Sequence, residues 1–268
     1  MNKKLLTVQG EGVYYKYTEY IYSIQKEGHM IKIEDFTFLY SSKKGLKNIS
    51  LKLEPGNVYG LVGPNSAGKS TLLNVMTGMY KSKGEVSICG ESDYKDFIKK
   101  IAYMTDEETA LQQNQIRFLV NIYKNEDYFD YEYFIDKVKM FNLDLNNIMI
   151  SQYSRGQAKL LQCIYILSFV RNIYIFDEPL SNIDLVYKEK ILDLILDKID
   201  NNKLIIISSH ELNDLDTKLD KVIFINDSSI LGVEDLDELK QLKNMSLKEI
   251  FIEKFRVEIE GDQDDQDL

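Results

Sequence analysis

Cysteine and histidine are scarce in this chain. Its 268 residues hold two cysteines, Cys89 and Cys163, and two histidines, His29 and His210. The cysteines lie far apart and share no metal-ligand spacing with the histidines, which excludes a disulfide framework and a structural zinc site. Two lone thiols suit a reducing compartment, where they serve as small buried apolar groups. Proline (3) and glycine (14) are not enriched, so most of the chain is expected to fold. Long hydrophobic runs are missing too. The longest apolar piece, CIYILSFV at 163–170, is interrupted by Ser168 and falls well short of the roughly 20 residues that span a bilayer. The first residues, MNKKLL, start like a signal peptide but have no apolar segment behind them. The expected location is cytoplasmic. A basic stripe is also lacking: the formal net charge is −10, which argues against nucleic acid as a partner and reads as solubility.

What is present is an alternation of short strands and helices. Residues 1–29 stand apart: VYYKYTEYIYSIQKE is tyrosine-rich and ends in Gly28-His29-Met30, the pattern of a cloning scar ahead of a start codon, or else a native extension. IKIEDFTF and LKNISLKL alternate with period two, as half-exposed antiparallel strands do. NVYGLVG is a continuous apolar strand, and KSTLLNVMTGM follows with helical spacing. GEVSICG and KKIAYM read as strands. From residue 107 to about 150 the pattern turns helical (FLVNIYKN, YFIDKVKMFNL), an inserted helical subdomain that reaches about 165 if the next helix is included. A helix from Ser154, strand NIYIFDEP, helix 184–199, strand KLIIISSH, helix 211–219 and strand KVIFIN complete an α/β pattern. Such alternation predicts a mostly parallel sheet covered on both faces. Residues 234–255 read as two closing helices, and 261–268 as an acidic disordered tail.

The chemistry begins at GPNSAGKST, residues 63–71. Gly63 and Gly68 let the backbone bend so that the loop Pro64-Asn65-Ser66-Ala67 closes round an anion at a helix N-terminus, with the N–H groups after Pro64 facing inward. (Pro64 itself has no N–H to give.) Lys69 reaches terminal phosphates, Ser70 offers a hydroxyl to Mg²⁺, and Thr71 ends the run of candidate ATP-binding residues. Strand before and helix after are the context this loop requires. Downstream, NIYIFDEP ends in Asp177 and Glu178. Ligands of open parallel sheets sit beyond the carboxyl ends of the strands. There, Asp177 would hold magnesium and Glu178 would activate a water.

QYSRGQAK at 152–159, 23 residues before Asp177, resembles the signature motif of ATP-binding cassette (ABC) ATPases, which usually reads Leu-Ser-Gly-Gly-Gln. The likeness runs from Met30 to about Phe255. It implies the ABC ATPase fold: a P-loop NTPase with an N-terminal antiparallel β-subdomain and an inserted helical subdomain within a cassette at about 30–260. It implies ATP and Mg²⁺ as ligands. It makes Tyr40 the adenine-stacking aromatic, Asp184 in SNID the D-loop carboxylate, and His210 the switch histidine at the γ-phosphate. It makes Lys69, Glu178 and His210 the catalytic set, and Ser154, Arg155, Gly156 and Gln157 the element that closes over a partner's ATP. A second cassette and an integral-membrane permease are the implied partners, with the chain peripheral on the inner face of the membrane. SLKEIFIEKF at 246–255 is similar to the closing helix of drug, antibiotic and bacteriocin exporter cassettes. A soluble non-transport ABC ATPase and a regulatory cassette with little turnover are the alternatives.

Three residues depart from the family pattern. Asp106 stands where the Q-loop glutamine is usual and is a candidate metal contact with Ser70 and Asp177. Arg155 replaces the first signature glycine. Ser66 replaces a P-loop glycine, which the backbone tolerates if φ there is negative.

Overall fold

A computed structural model describes residues 29–40, 44–106, 116–145 and 149–264. The tyrosine-rich segment 1–28 and the start of the predicted helical insert at 107–115 lie outside the described residues. Two sheets form. Strands β1 (Ile31–Leu39), β2 (Gly45–Leu53) and β4 (Lys83–Ile88) make an antiparallel three-stranded sheet in the order β2-β1-β4. β3 (Asn57–Val62), β5 (Ile101–Met104), β6 (Ile173–Asp177), β7 (Leu204–Ser208), β8 (Lys221–Asn226) and β9 (Ser229–Asp235) make the larger sheet, ordered β5-β6-β7-β3-β8-β9. Its first four pairings are parallel, and β9 returns antiparallel on β8.

The central strands are apolar on both faces because both faces are covered. Side chains of β3, β6 and β7 alternate between two cores. Tyr59, Leu61, Ile173, Ile175, Leu204 and Ile206 join the small sheet and helix α1 (Lys69–Met76). Val58, Val62, Tyr174, Phe176, Ile205 and Ile207 join α5 (Arg155–Leu167) and α6 (Leu185–Leu196). Burying one such side chain is worth about 1.5–3 kcal/mol. A period-two pattern with no polar phase is therefore what a doubly covered parallel strand requires.

Between α2 (Tyr94–Phe97) and α5 lie α3 (Ile116–Tyr123) and α4 (Tyr131–Met140). An isolated bridge in this region joins Phe129 to Phe169, just past the end of α5. Capping fixes the helix starts. Asp130 accepts from Tyr133 N–H, and Asp184 from Tyr187 N–H. Ser154 and Gln157 form a reciprocal capping box at α5.

Three elements differ from expectation. The helix predicted at 211–219 is only α7 (Leu212–Leu215). The chain leaves it at Asp216, whose carboxylate is drawn off to Leu247 N–H (2.7 Å) and Lys240 Nζ (2.9 Å). Strand β9 carries no glycine or proline turn signal ahead of it. The hairpin turns instead at Asp227 and Ser228, both with positive φ (37° and 69°), the conformation that suits a tight hairpin. The closing helices are α8 (Leu236–Lys243) and α9 (Leu247–Asp264). α9 continues past residue 261, where the tail was expected to lose structure, because a helix already docked gains one hydrogen bond for each further residue it fixes.

Candidate active site

The loop between β3 and α1 is shaped by close approach. A Cβ on Gly63 would lie 2.2 Å from the Ile225 carbonyl oxygen, so β8 leaves room only for glycine there. Gly68, at φ 111°, is the N-cap of α1 and turns the helix N-terminus toward a cavity. That cavity, of about 370 Å³, is lined by Asn65, Ser66, Gly68, Lys69, Ser70, Thr71, Asp106, Asp177, Glu178, Ser181, Asn182 and His210. Residues predicted from four separate stretches of sequence thus converge. Gly63, Pro64 and Ala67 support the loop from behind: Lys69 Nζ donates to the carbonyls of Gly63 (2.8 Å) and Pro64 (3.1 Å), and Ala67 is buried in the core. Burial lowers the pKa of the Lys69 ammonium, opposed by the carboxylates of Glu178 and Asp177.

Ser66 does not meet the condition under which a residue with a Cβ sits in this loop without cost. Its φ is +68°, in the left-handed region, not negative. The loop keeps the turn that a glycine would make without cost, at about 1–2 kcal/mol for a residue with a Cβ. Glu178 is left-handed as well, at φ 50°. Its carboxylate Oε2 lies 2.8 Å from His210 Nδ1, and its N–H donates to Ser208 Oγ (3.0 Å) and to the Ser208 carbonyl (3.2 Å). Ser208 Oγ–H in turn donates to Asp177 Oδ1 at 2.5 Å. The His210 segment is fastened by Lys188 of α6, which pairs with Glu211 and with Asp214 (3.0 Å).

Among the described residues, no three His, Cys, Asp or Glu side chains form a metal cage. Ser70, Asp106 and Asp177 nevertheless line one cavity. That donor set fits Mg²⁺, which takes one or two carboxylates and completes its shell with waters and phosphate oxygens.

Other predicted residues lie apart. Tyr40 does not line the cavity. It stands 55 % exposed, edge-on to Phe38 and Tyr80, with its hydroxyl 3.5 Å from Thr71 Oγ1. Ser154 and Arg155 are exposed at the start of α5, Gly156 is buried, and Gln157 accepts the Ser154 N–H. Asp184 caps α6. The structure adds three polar residues that sequence reading passed over: Ser208, Ser181 and Lys159. All three are buried. Lys159 in particular reads as one more charge on a helix.

The family model for ABC transporters matches residues 46–181. The chain belongs to that family. It is an ABC ATP-binding cassette, an ATPase. It is 26 % identical over 232 residues to the lantibiotic transport ATP-binding protein SrtF of Streptococcus pyogenes, covering 85 % of this chain and 100 % of that one. It is 27 % identical over 210 residues to the manganese transport system ATP-binding protein MntB of Bacillus subtilis, covering 73 % and 83 %. Among solved structures, an ATP-binding subunit of an ABC transporter has the same fold, with a TM-score of 0.71 at 19 % identity over 84 % of this chain and 98 % of that one. A dimeric cassette bound to ADP and Pi also shares it, with a TM-score of 0.62 at 23 % identity over 77 % and 99 %. Among its described residues no helix is long and apolar enough to cross a membrane.

Proposed function

We propose that this cassette powers efflux of a drug, antibiotic or peptide through a membrane exporter, as one of a pair of cassettes seated on a spanning permease. The observation that carries the paired reading is a division of residues. Lys69, Ser70, Asp177, Glu178 and His210 share the cavity, while Ser154 and Arg155 lie outside it on exposed surface. A half-site of this kind suits completion by Ser154 and Gly156 of a second cassette. The export direction is supported by the lantibiotic transport relative, matched over its full length, and by a closing helix at α9.

In this reading the loop N–H groups and Lys69 hold the β- and γ-phosphates, and the Tyr40 ring takes the adenine. Ser70 and Asp177 would hold Mg²⁺, with Asp106 as a further candidate contact. When bound, Mg²⁺ offsets the charge of the phosphate oxygens. Glu178 takes the proton of the attacking water, and His210, held by Glu178, faces the γ-phosphate. Catalysis is then mostly positioning and charge stabilisation.

Steady-state phosphate release tests these roles. Glu178→Gln is expected to lower turnover about 10²–10⁴-fold while ATP-dependent dimers persist in gel filtration. Lys69→Ala is expected to weaken nucleotide binding instead. Turnover by Glu178→Gln close to that of the unaltered protein removes Glu178 as the base. Purification from the native cells without any co-purifying membrane-spanning protein counts against the permease.

A further inference from the structure

Lys159 sits on α5, and its side chain is only 10 % exposed. Its ammonium donates to the Glu178 carbonyl oxygen and to Ser181 Oγ, both at 2.6 Å, and lies 3.5 Å from Asp106 Oδ1. Ser181 Oγ–H donates to the same Glu178 carbonyl at 3.0 Å, and lies 3.5 Å from Asp106 Oδ1. The carbonyl of a left-handed residue is therefore gripped from two sides by a buried cation and a buried hydroxyl. A non-glycine residue persists in that conformation only where its surroundings over-determine it.

We infer that Lys159 is a positioning residue for hydrolysis: by holding the Glu178 carbonyl it sets the backbone from which the Glu178 carboxylate meets His210, and it ties that setting to Asp106 at the edge of the cavity. The inference rests on Glu178 being the water-activating carboxylate. Two features of the site support it. The ammonium and Asp106 are of opposite charge, so the Asp106 that stands in the Q-loop position has a partner that a neutral glutamine would not need. The lysine also lies five residues inside the helix whose N-cap is Ser154. At about 1.5 Å per residue, any shift of that exposed helix end is carried to the Glu178 backbone over roughly 7–8 Å.

The test is a double-mutant cycle on the full chain, read by phosphate release and thermal melting. Lys159→Met keeps the side chain's length and removes its charge. The expected result is a fall in kcat of at least tenfold, with KM for ATP within about twofold, because the group acts through Glu178 and not on the nucleotide. Asp106→Asn alone is expected to lower kcat, and to lower it by a clearly smaller factor once Lys159 is Met, the remainder reflecting its place beside Mg²⁺. Effects that multiply overturn the proposed coupling. So does a folded Lys159→Met protein whose kcat stays within twofold of the unaltered chain. If Lys159→Met does not fold, Ser181→Ala, which removes the other grip on the same carbonyl, is expected to lower kcat at least threefold with KM unchanged; no change there overturns the inference. Glu178→Gln is the control. Turnover in that variant defeats the assignment of the base, whereas an inactive Glu178→Gln beside a fully active Lys159→Met defeats only the role of Lys159.

Discussion

Removing one hydroxyl, that of Ser208, probes the electrostatic frame of the site without touching any group that faces the nucleotide's phosphates. Ser208 is fully buried at the end of β7. Its Oγ–H donates to Asp177 Oδ1 at 2.5 Å, and its Oγ accepts the Glu178 N–H at 3.0 Å. In Ser208→Ala the Glu178 N–H keeps the Ser208 carbonyl at 3.2 Å, so it is not orphaned. The carboxylate of Asp177, 4 % exposed, loses a charge-assisted donor. A hydrogen bond to a charged group contributes about 1.5–3 kcal/mol, and the missing oxygen leaves a void too small to refill. The expected loss is about 2 kcal/mol of folding stability. For a domain of this size that corresponds to a drop of about 4–8 °C in Tm, measurable by circular dichroism without nucleotide. Turnover should fall as well, because Asp177 is no longer oriented from behind. A melting temperature within about 1 °C of the unaltered protein would refute the reasoning, since it would mean that the Asp177 carboxylate draws nothing from its neighbour.

Two further outcomes follow from backbone and charge. Ser66→Gly removes the left-handed penalty at φ +68° but adds unfolded-state entropy, for a net gain of about 0.5 kcal/mol in urea unfolding; a loss above about 1 kcal/mol would show that Ser66 is not strained. Lys198 lies with its ammonium 3.5 Å from the Tyr133 ring centroid, and burial pushes its pKa from 10.5 down to about 8. Between those values the unfolded chain binds more protons than the folded one, so stability rises with pH, and the penalty is full below pH 8. The difference in Tm between the unaltered protein and Lys198→Met should therefore shift in favour of the unaltered protein from pH 8 to 10, and a constant difference contradicts this.

Much of the cavity was legible because its residues belong to contiguous strings whose chemistry is local. GPNSAGKST announces its loop by glycine spacing, and NIYIFDEP announces its carboxylates by their place at a strand end. The central strands of the larger sheet were equally plain, since nearly unbroken apolar runs have few other uses, whereas the half-exposed β9 was not. What sequence reading missed has a common cause: Ser208, Ser181 and Lys159 act through partners 31, 22 and 19 residues away. No periodicity encodes such pairs. The conformation of Ser66 was hidden for a related reason. Its φ is set by the loop as a whole, with Gly68 and the packing of Gly63 against Ile225, and not by the serine.

The same non-local logic explains why an acidic chain can hold a polyanion at all. Among the described residues that line the cavity, three carboxylates, those of Asp106, Asp177 and Glu178, face the ammonium of Lys69. Like charges at such range repel strongly in a partly buried site, so the cavity cannot work as a simple electropositive trap. Each carboxylate instead has a fixed partner drawn from another element: Ser208 for Asp177, His210 for Glu178, and Lys159 for Asp106. With the acidic groups held in this way, the attraction for phosphate comes from what faces the cavity directly. That is the helix N-terminus at Gly68, the loop N–H groups and Lys69, joined by whatever cation the carboxylates bring with the nucleotide.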